Sequence, residues 1–170
     1  IATEAAHRLG ITRVTSTDFI RQTMRAFFSQ EFMPSVHYSS FEALLALATF
    51  VARQSRGMPL ESKDERLQPF IATGRALFAR RQGQLNLACT HCHDANWGRT
   101  LLAEPISQGH ATGWPAYRLE WQSLGSLQRR LRACFSGVRA VPPAYGSEDL
   151  VALELYLAWR AQGLPLELAP

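Results

Sequence analysis

The stretch that decides the fold is Cys89-Thr90-His91-Cys92-His93. Two cysteines three residues apart, followed at once by a histidine, form the attachment signature of c-type haem. The two thiols can reach the two vinyl groups of one porphyrin as thioethers, and the adjacent imidazole is then held below the ring as the proximal iron ligand. The motif therefore predicts one covalently attached haem c, bound by Cys89 and Cys92, with His93 on the iron.

Two other uses of a Cys-x-x-Cys pair fit the chain less well. A zinc site needs a second pair of ligands at regular spacing, and only His110 and Cys134 follow, at irregular distances. A thioredoxin-type redox pair needs strands that alternate with helices, and the chain shows little strand signal. We interpret His91, which lies between the two cysteines, as a surface histidine of the motif rather than a ligand.

The composition is that of an ordinary globular chain of 170 residues, with 46% hydrophobic and 19% charged residues. The most apolar run, Ala43–Ala52, is much shorter than the roughly 20 residues of a membrane span, so no membrane span is predicted. The net charge of +4 comes almost entirely from arginine, because Lys63 is the only lysine. Apart from Arg129, Arg130, Arg132 and Arg139, the arginines are spread along the chain rather than clustered on one face, so nucleic acid is not an expected partner. The chain begins at Ile1 and carries no signal peptide, and a processed mature chain is the expectation.

Apolar residues at helical spacing predict five helices, over residues 17–30, 40–55, 69–81, 126–135 and 147–162. Each begins near a serine, threonine or proline and ends before a glycine or proline, as helices commonly do. Residues 58–66 are predicted to be a linker, and residues 94–121, with several glycines and prolines, a long irregular segment. The expected fold class is therefore all-α with long loops, a class I-like cytochrome c haem domain in its C-terminal part.

The methionines set this chain apart from a simple electron carrier. Such cytochromes bind iron with a histidine and a methionine, and the methionine normally follows the motif. Here all three methionines precede it, at Met24, Met33 and Met58. The candidates for the opposite side of the iron are therefore His110, Cys134 or no residue at all, and Tyr117 and Tyr145 are poorer donors.

Cys134 is the odd cysteine and lies on a predicted helix that is rich in arginine. One interpretation is a small buried apolar residue. The other is a thiolate ligand, because nearby positive charge and iron itself both favour the thiolate. Arg130 lies four residues earlier on the same face of the helix, where it would favour the thiolate and bind an anion beside the sulfur. His110 lies in the glycine-rich segment 108–113 and is either a ligand or an ordinary loop histidine.

Residues 74–165 resemble the C-terminal haem domain of the SoxA family, the sulfur-oxidation cytochromes that pair with SoxX subunits. The matching pieces include Gly74-Arg75-Ala76-Leu77-Phe78, Pro115-Ala116-Tyr117-Arg118-Leu119-Glu120-Trp121 and Arg129-Arg130-Leu131-Arg132-Ala133-Cys134. Many family members carry a second haem in their N-terminal domain, but this chain has no second Cys-x-x-Cys-His motif. The resemblance therefore implies the monohaem subgroup, with a smaller helical, haem-free, cytochrome-like domain over residues 1–62 and a haem domain with the active site over residues 63–170.

The resemblance implies an enzyme, an L-cysteine S-thiosulfotransferase of the SoxAX type. In that activity thiosulfate is joined oxidatively to a cysteine of a SoxYZ-type carrier protein, and the electrons pass through haem to a cytochrome c acceptor. By position, Cys89 and Cys92 would attach the haem and His93 would be its proximal ligand. Cys134 would be the distal ligand, and Arg130 would be an active-site residue that helps to bind the anionic substrate.

A SoxX-like cytochrome c subunit is the implied partner, in a heterodimer. The expected compartment is the periplasm, because covalent haem attachment takes place outside the cytoplasmic membrane. Two other functions fit the same motif. A simple electron-transfer cytochrome c would bind iron with two histidines, or a histidine and a methionine, and would act on no sulfur substrate. A carrier-independent thiosulfate dehydrogenase would also use a cysteine ligand and would release tetrathionate, although such enzymes usually carry two haem motifs in one chain.

Overall fold

The computed structural model describes residues 26, 29, 40–101 and 103–167. The predicted helix over residues 17–30 lies outside this range, apart from two residues, as do Met24 and Met33. The chain divides into two compact units, residues 1–47 and 48–170. Because most of the first unit lies outside the described residues, the haem-free domain over residues 1–62 stays a prediction.

Helices dominate the described residues and two small hairpins complete them. The helices are α1 (Ser40–Gln54), α2 (Gln68–Ala79), α3 (Cys89–His93), α4 (Leu127–Gly137) and α5 (Glu148–Arg160). The strands pair antiparallel, β1 (Thr100–Leu101) with β2 (Glu104–Pro105) and β3 (Ala116–Arg118) with β4 (Ser123–Gly125). None of these helices is long and apolar enough to cross a membrane. The prediction of an all-α cytochrome c fold is confirmed in its helices, but the four short strands were not predicted, and three of them lie in the segment predicted to be irregular.

The long helices begin and end within two residues of the predicted positions. Their ends are predictable because the residues that start each helix are close to it in the sequence. In α4 the Ser126 hydroxyl accepts a hydrogen bond of 3.2 Å from the backbone N–H of Arg129. In α5 the Ser147 hydroxyl accepts one from the backbone N–H of Leu150. A proline, Pro69, occupies the first turn of α2, where no intrahelical N–H bond is lost.

The core lies where α2 packs against α5, with α4 beside them. Its buried residues are apolar and recur at helical spacing: Leu77, Phe78, Phe135, Leu150, Ala152, Leu153, Tyr156 and Leu157. The two helices approach closely at Gly74. A Cβ atom there would overlap the carbonyl oxygen of Ala152 and lie 2.7 Å from Cβ of Tyr156. Only glycine allows this approach, which brings the start of the haem domain against its last helix.

The first part of the predicted linker is hydrogen-bonded to a segment near the C-terminal end of the chain. Residues 57–60 run antiparallel to residues 163–166, with Leu60 donating to the carbonyl of Leu164 at 2.9 Å and Leu166 donating to the carbonyl of Met58 at 2.9 Å. Pro59 and Pro165 form the bridge between them. These four residues are therefore anchored within the second unit.

Glu154 of α5 gives the fold a testable pH dependence. Its carboxylate accepts a hydrogen bond of 2.7 Å from Nε2 of Gln128, whose Oε1 in turn accepts the N–H of Gly146. Burial raises the pKa of Glu154, and the hydrogen bond from Gln128 opposes this shift. The folded state therefore holds the proton more tightly than the unfolded state, so stability falls as pH rises through the folded pKa.

The variant Glu154→Gln keeps a hydrogen-bond acceptor for Gln128 and removes the charge. At about pH 7 we expect it to unfold at a higher temperature than wild type, and at about pH 3, where wild-type Glu154 is protonated, at nearly the same temperature. Thermal unfolding followed by circular dichroism measures both. An equal difference between the two proteins at both pH values would contradict the role assigned to burial.

Candidate active site

Helix α3 brings two thiols and an imidazole together. Cys89 and Cys92 lie about one helical turn apart, both partly buried and neither in a disulfide. His91, between them, accepts the backbone N–H of Ala88 on its Nδ1 at 3.0 Å, at the start of the helix. This local bond fits the interpretation of His91 as a structural residue of the motif.

The hydrogen bond of His93 prepares one ring nitrogen for a metal. Its Nδ1 lies 2.8 Å from the carbonyl oxygen of Ser107. Because a carbonyl can only accept, Nδ1 carries the proton and Nε2 keeps its lone pair for an iron ion. Gly109 adopts a φ of +74° and lies so close that a Cβ atom there would be 3.3 Å from Cγ of His93. The loop from Ser107 to Gly109 thus covers one side of the imidazole.

The carbonyl of Ser107 is positioned by the first hairpin and by α5. Ile106 extends the β1–β2 pairing through its N–H bond of 2.8 Å to the carbonyl of Arg99. From the end of α5, Nη2 of Arg160 donates to Asp94 at 2.7 Å and to the carbonyl of Gln108 at 3.0 Å. Arg160 therefore joins the residues that follow His93 and Ser107. No sequence pattern pointed to it, because Asp94 is 66 residues away along the chain.

Cys134 lies in the third turn of α4 and is close to the thiols of α3. Burial raises the pKa of Cys89 to about 11, and the next largest contribution comes from Cys134. Burial also raises the pKa of Cys134, and Cys92 adds to that shift. The Cys134 side chain is nevertheless exposed to solvent.

Arg130 and two residues near the second hairpin act electrostatically on Cys134. Arg130 and Arg118 lower the pKa of the Cys134 thiol, against the larger effect of burial, and Glu120 adds to the upward shift. The Glu120 carboxylate lies 3.4 Å from Nε of Arg118 and 3.7 Å from Nη1 of Arg130. The structure therefore brings together the predicted pair Arg130 and Cys134, and adds Arg118 and Glu120. These two were missed because the strand that ends at Arg118 was not predicted.

The other candidate ligands lie elsewhere or outside the described residues. Burial lowers the pKa of His110, with Arg160 adding to the shift and Glu167 opposing it, so His110 neighbours Arg160 at the end of α5. Tyr145 contacts Arg132 of α4, whose guanidinium lies 4.6 Å from the centre of the tyrosine ring. Met58 is mostly exposed, and its carbonyl pairs with Leu166.

The donor set fits a porphyrin iron better than a bare metal ion. Among the described residues, no three side chains of His, Cys, Asp or Glu are grouped as they would be around a metal ion. The pair Cys89 and Cys92 instead offers two thiols for covalent attachment, and His93 offers a free Nε2. This arrangement defines a c-type cytochrome domain.

The chain belongs to the SoxA/TsdA cytochrome c family. Residues 73–166 match the family described as SoxA/TsdA, cytochrome c domain. A cytochrome c domain of this kind implies haem c, as the motif predicts. The expectation of SoxA-like character from the sequence is thereby confirmed at the level of the family.

Several relatives carry the name L-cysteine S-thiosulfotransferase subunit SoxA. The protein from Pseudaminobacter salicylatoxidans is 39% identical over 128 residues, which cover 74% of this chain and 45% of that protein. The protein from Rhodovulum sulfidophilum is 39% identical over 125 residues, or 73% of this chain and 44% of that protein. The crystal structure of SoxXA from P. pantotrophus superposes with a TM-score of 0.72 at 30% identity, covering 91% of this chain and 60% of that one. The chain spans just under half the length of these two curated relatives.

Proposed function

We propose that this chain is the thiosulfate-conjugating subunit of a SoxAX-type cytochrome, an L-cysteine S-thiosulfotransferase. The observation that carries the proposal is the Arg130–Cys134 pair beside the thiols of Cys89 and Cys92. A simple electron carrier has no need of a third thiol and a guanidinium at this place. The names of the relatives point to the same reaction.

Each site residue has a distinct role in this proposal. Cys89 and Cys92 would hold a single haem c through thioethers, and His93 would bind its iron through Nε2, since its Nδ1 is bonded to the carbonyl of Ser107. Cys134 would supply a thiolate ligand to the same iron. When bound, the haem supplies one-electron redox chemistry.

The reaction forms one S–S bond and releases two electrons. The terminal sulfur of thiosulfate, a dianion, is joined to the thiolate sulfur of the carrier's cysteine, and the product is a cysteine S-thiosulfonate. The electrons leave one at a time, so a second redox centre in a SoxX-like partner is useful, and a cytochrome c is the final acceptor. Arg130 holds the sulfonate oxygens by charge-assisted hydrogen bonds, and Cys134 provides a soft sulfur partner.

The remaining features of the proposal follow from this assignment. The partner is a SoxX-like cytochrome c subunit and the second substrate is a SoxYZ-type carrier protein. The compartment is the periplasm, where haem is attached to Cys89 and Cys92. Residues 1–62 form a haem-free domain, and the haem domain with the active site spans residues 63–170.

The proposal is tested with the haem-loaded chain in complex with a SoxX-like subunit, together with thiosulfate, a SoxYZ-type carrier and oxidised cytochrome c. We expect mass spectrometry to find the carrier's cysteine peptide heavier by one thiosulfate group, with two cytochrome c molecules reduced per conjugate formed. Tetrathionate released without the carrier would instead support a thiosulfate dehydrogenase. Electron exchange with cytochrome c that yields neither the carrier conjugate nor tetrathionate would support a simple electron carrier.

Arg130 is expected to be important for the rate of this reaction. Replacing it with methionine removes a charge-assisted contact to the substrate while keeping much of the side-chain volume. We expect kcat/KM for thiosulfate to fall by about 100-fold. Steady-state kinetics of the conjugation reaction measures the change.

Arg129 is a matched control on the same helix. Its guanidinium lies 4.3 Å from the ring centre of Trp121 and donates to Ser123, so it is engaged away from Cys134. The variant Arg129→Met is expected to keep kcat/KM within about threefold of wild type. Equal losses in both variants would mean that general positive charge, rather than Arg130, binds the substrate.

A further inference from the structure

A single carboxylate, that of Glu120, lies between two arginines beside Cys134. Its Oε1 is 3.4 Å from Nε of Arg118 and 3.7 Å from Nη1 of Arg130. Both distances are longer than the roughly 2.7–2.9 Å of a charge-assisted hydrogen bond. The Glu120 side chain is also 48% exposed. Ion pairs of this length and exposure contribute little free energy, so the carboxylate can be displaced at small cost.

Arg118 is held in place independently of Glu120. It ends strand β3, where it pairs with Ser123 of β4, and its carbonyl accepts the N–H of Trp121 at 3.0 Å. Nη2 of Arg118 also lies 3.4 Å from the carboxylate of Glu104. The Arg118 side chain is only 25% exposed. Removing Glu120 from its position would therefore leave the Arg118 guanidinium close to where it is.

The three charged groups form one network beside α4. Arg130 stands one helical turn before Cys134, and Glu120 joins Arg130 to Arg118. Two guanidiniums with a weakly held carboxylate between them form a site for an anion, because an incoming anion with more charge can replace the carboxylate and bind both arginines. Thiosulfate carries two negative charges and several acceptor oxygens, which suit the fork-like donors of arginine.

We propose that Arg118 is a second substrate-binding arginine and that Glu120 is a displaceable counter-ion, which pairs with Arg118 and Arg130 until the thiosulfate dianion takes its place. This inference rests on the proposed function. In the free protein the Glu120 carboxylate offsets part of the charge of the two guanidiniums. On binding, Glu120 turns toward solvent and the sulfonate oxygens bridge the two arginines beside Cys134.

The test uses the haem-loaded chain in its complex with a SoxX-like subunit, and thiosulfate itself as the probe. Its dissociation constant is measured by calorimetry without the carrier, and KM and kcat are measured in the conjugation reaction. Since no carboxylate then competes, Glu120→Gln should lower both the dissociation constant and KM about threefold, with a smaller change in kcat. Arg118→Met should raise the dissociation constant and KM by at least about tenfold. Arg118→Lys keeps the positive charge but not the paired N–H donors of a guanidinium, so its two constants should lie between those of wild type and Arg118→Met.

Two comparisons separate this mechanism from general effects of charge. Asp64→Asn removes another carboxylate that is paired with an arginine, Arg66, outside the site, and it should change neither constant. In the Arg118→Met background, Glu120→Gln should lower KM by less than about twofold, because one of the two ion pairs is already absent.

The outcomes distinguish this inference from the function on which it rests. If wild type conjugates thiosulfate but Glu120→Gln binds it no more tightly, or Arg118→Met binds it as well as wild type does, the counter-ion role is wrong and the proposed function stands. If wild type neither binds nor conjugates thiosulfate, the proposed function fails, and the inference fails with it.

Discussion

Replacement of Cys134 by alanine is expected to abolish thiosulfate conjugation, with a loss of at least about 1,000-fold in kcat. The reason is that Cys134 offers the only thiol of the described residues outside the attachment motif, and it lies beside Cys89, Cys92 and Arg130, the proposed substrate-binding residue. The haem spectrum is expected to change at the same time, because the proposed thiolate ligand of the iron is lost. Conjugation kinetics and optical spectra of the purified complex measure both effects.

Two further variants show whether the sulfur acts as more than a ligand. Cys134→Met supplies a thioether that can bind iron but cannot form a thiolate, so it should restore a six-coordinate spectrum without restoring conjugation. Ser136→Ala changes an exposed residue of the same helix and should leave spectrum and rate unchanged. Full conjugation by Cys134→Ala, or by Cys134→Met, would contradict the assignment of Cys134.

Replacement of Gly74 by alanine is expected to destabilise the haem domain by about 3 kcal/mol or more. Even one methyl group at this position would overlap the Ala152 carbonyl and crowd Cβ of Tyr156, so α2 and α5 would have to separate. Leu77 and Phe78 of α2 would lose their packing against α5 as a result. Urea unfolding of the haem-loaded protein, followed by circular dichroism, measures the loss.

Gly137 provides the matched control. It also lies in a helix, at the end of α4, but a Cβ atom there would meet nothing within 4 Å. Gly137→Ala should therefore leave stability unchanged or raise it by up to about 1 kcal/mol. If Gly74→Ala were as stable as wild type, the close approach of α2 and α5 would not be a feature of the folded protein.

Much of the fold could be predicted because its signals are local. Ser126 and Ser147 cap their helices with bonds to residues three positions ahead, and apolar residues repeat at helical spacing. The hairpins were missed because strands of two or three residues are too short to show an alternating pattern. The pairing of residues 57–60 with residues 163–166 was missed because it joins segments that are distant in the sequence.

The same distinction applies to the site. Cys89, Cys92 and His93 form a contiguous motif, and Arg130 and Cys134 stand four residues apart on one helix, so both groups were visible in the sequence. Their proximity to each other is a product of the fold. Arg160, which joins Asp94 to Gln108, and Glu120, which joins Arg118 to Arg130, became visible only once the chain had been folded.

The central claim, that the Cys134 sulfur binds the iron opposite His93, is tested most directly by electron paramagnetic resonance of the oxidised, haem-loaded complex. The haem of this chain is predicted to give the low-spin ferric signal of histidine and thiolate ligation, and that signal should disappear in Cys134→Ala. A signal typical of two histidines, or of histidine and methionine, that is the same in wild type and Cys134→Ala would contradict the claim and leave a simple electron-transfer cytochrome.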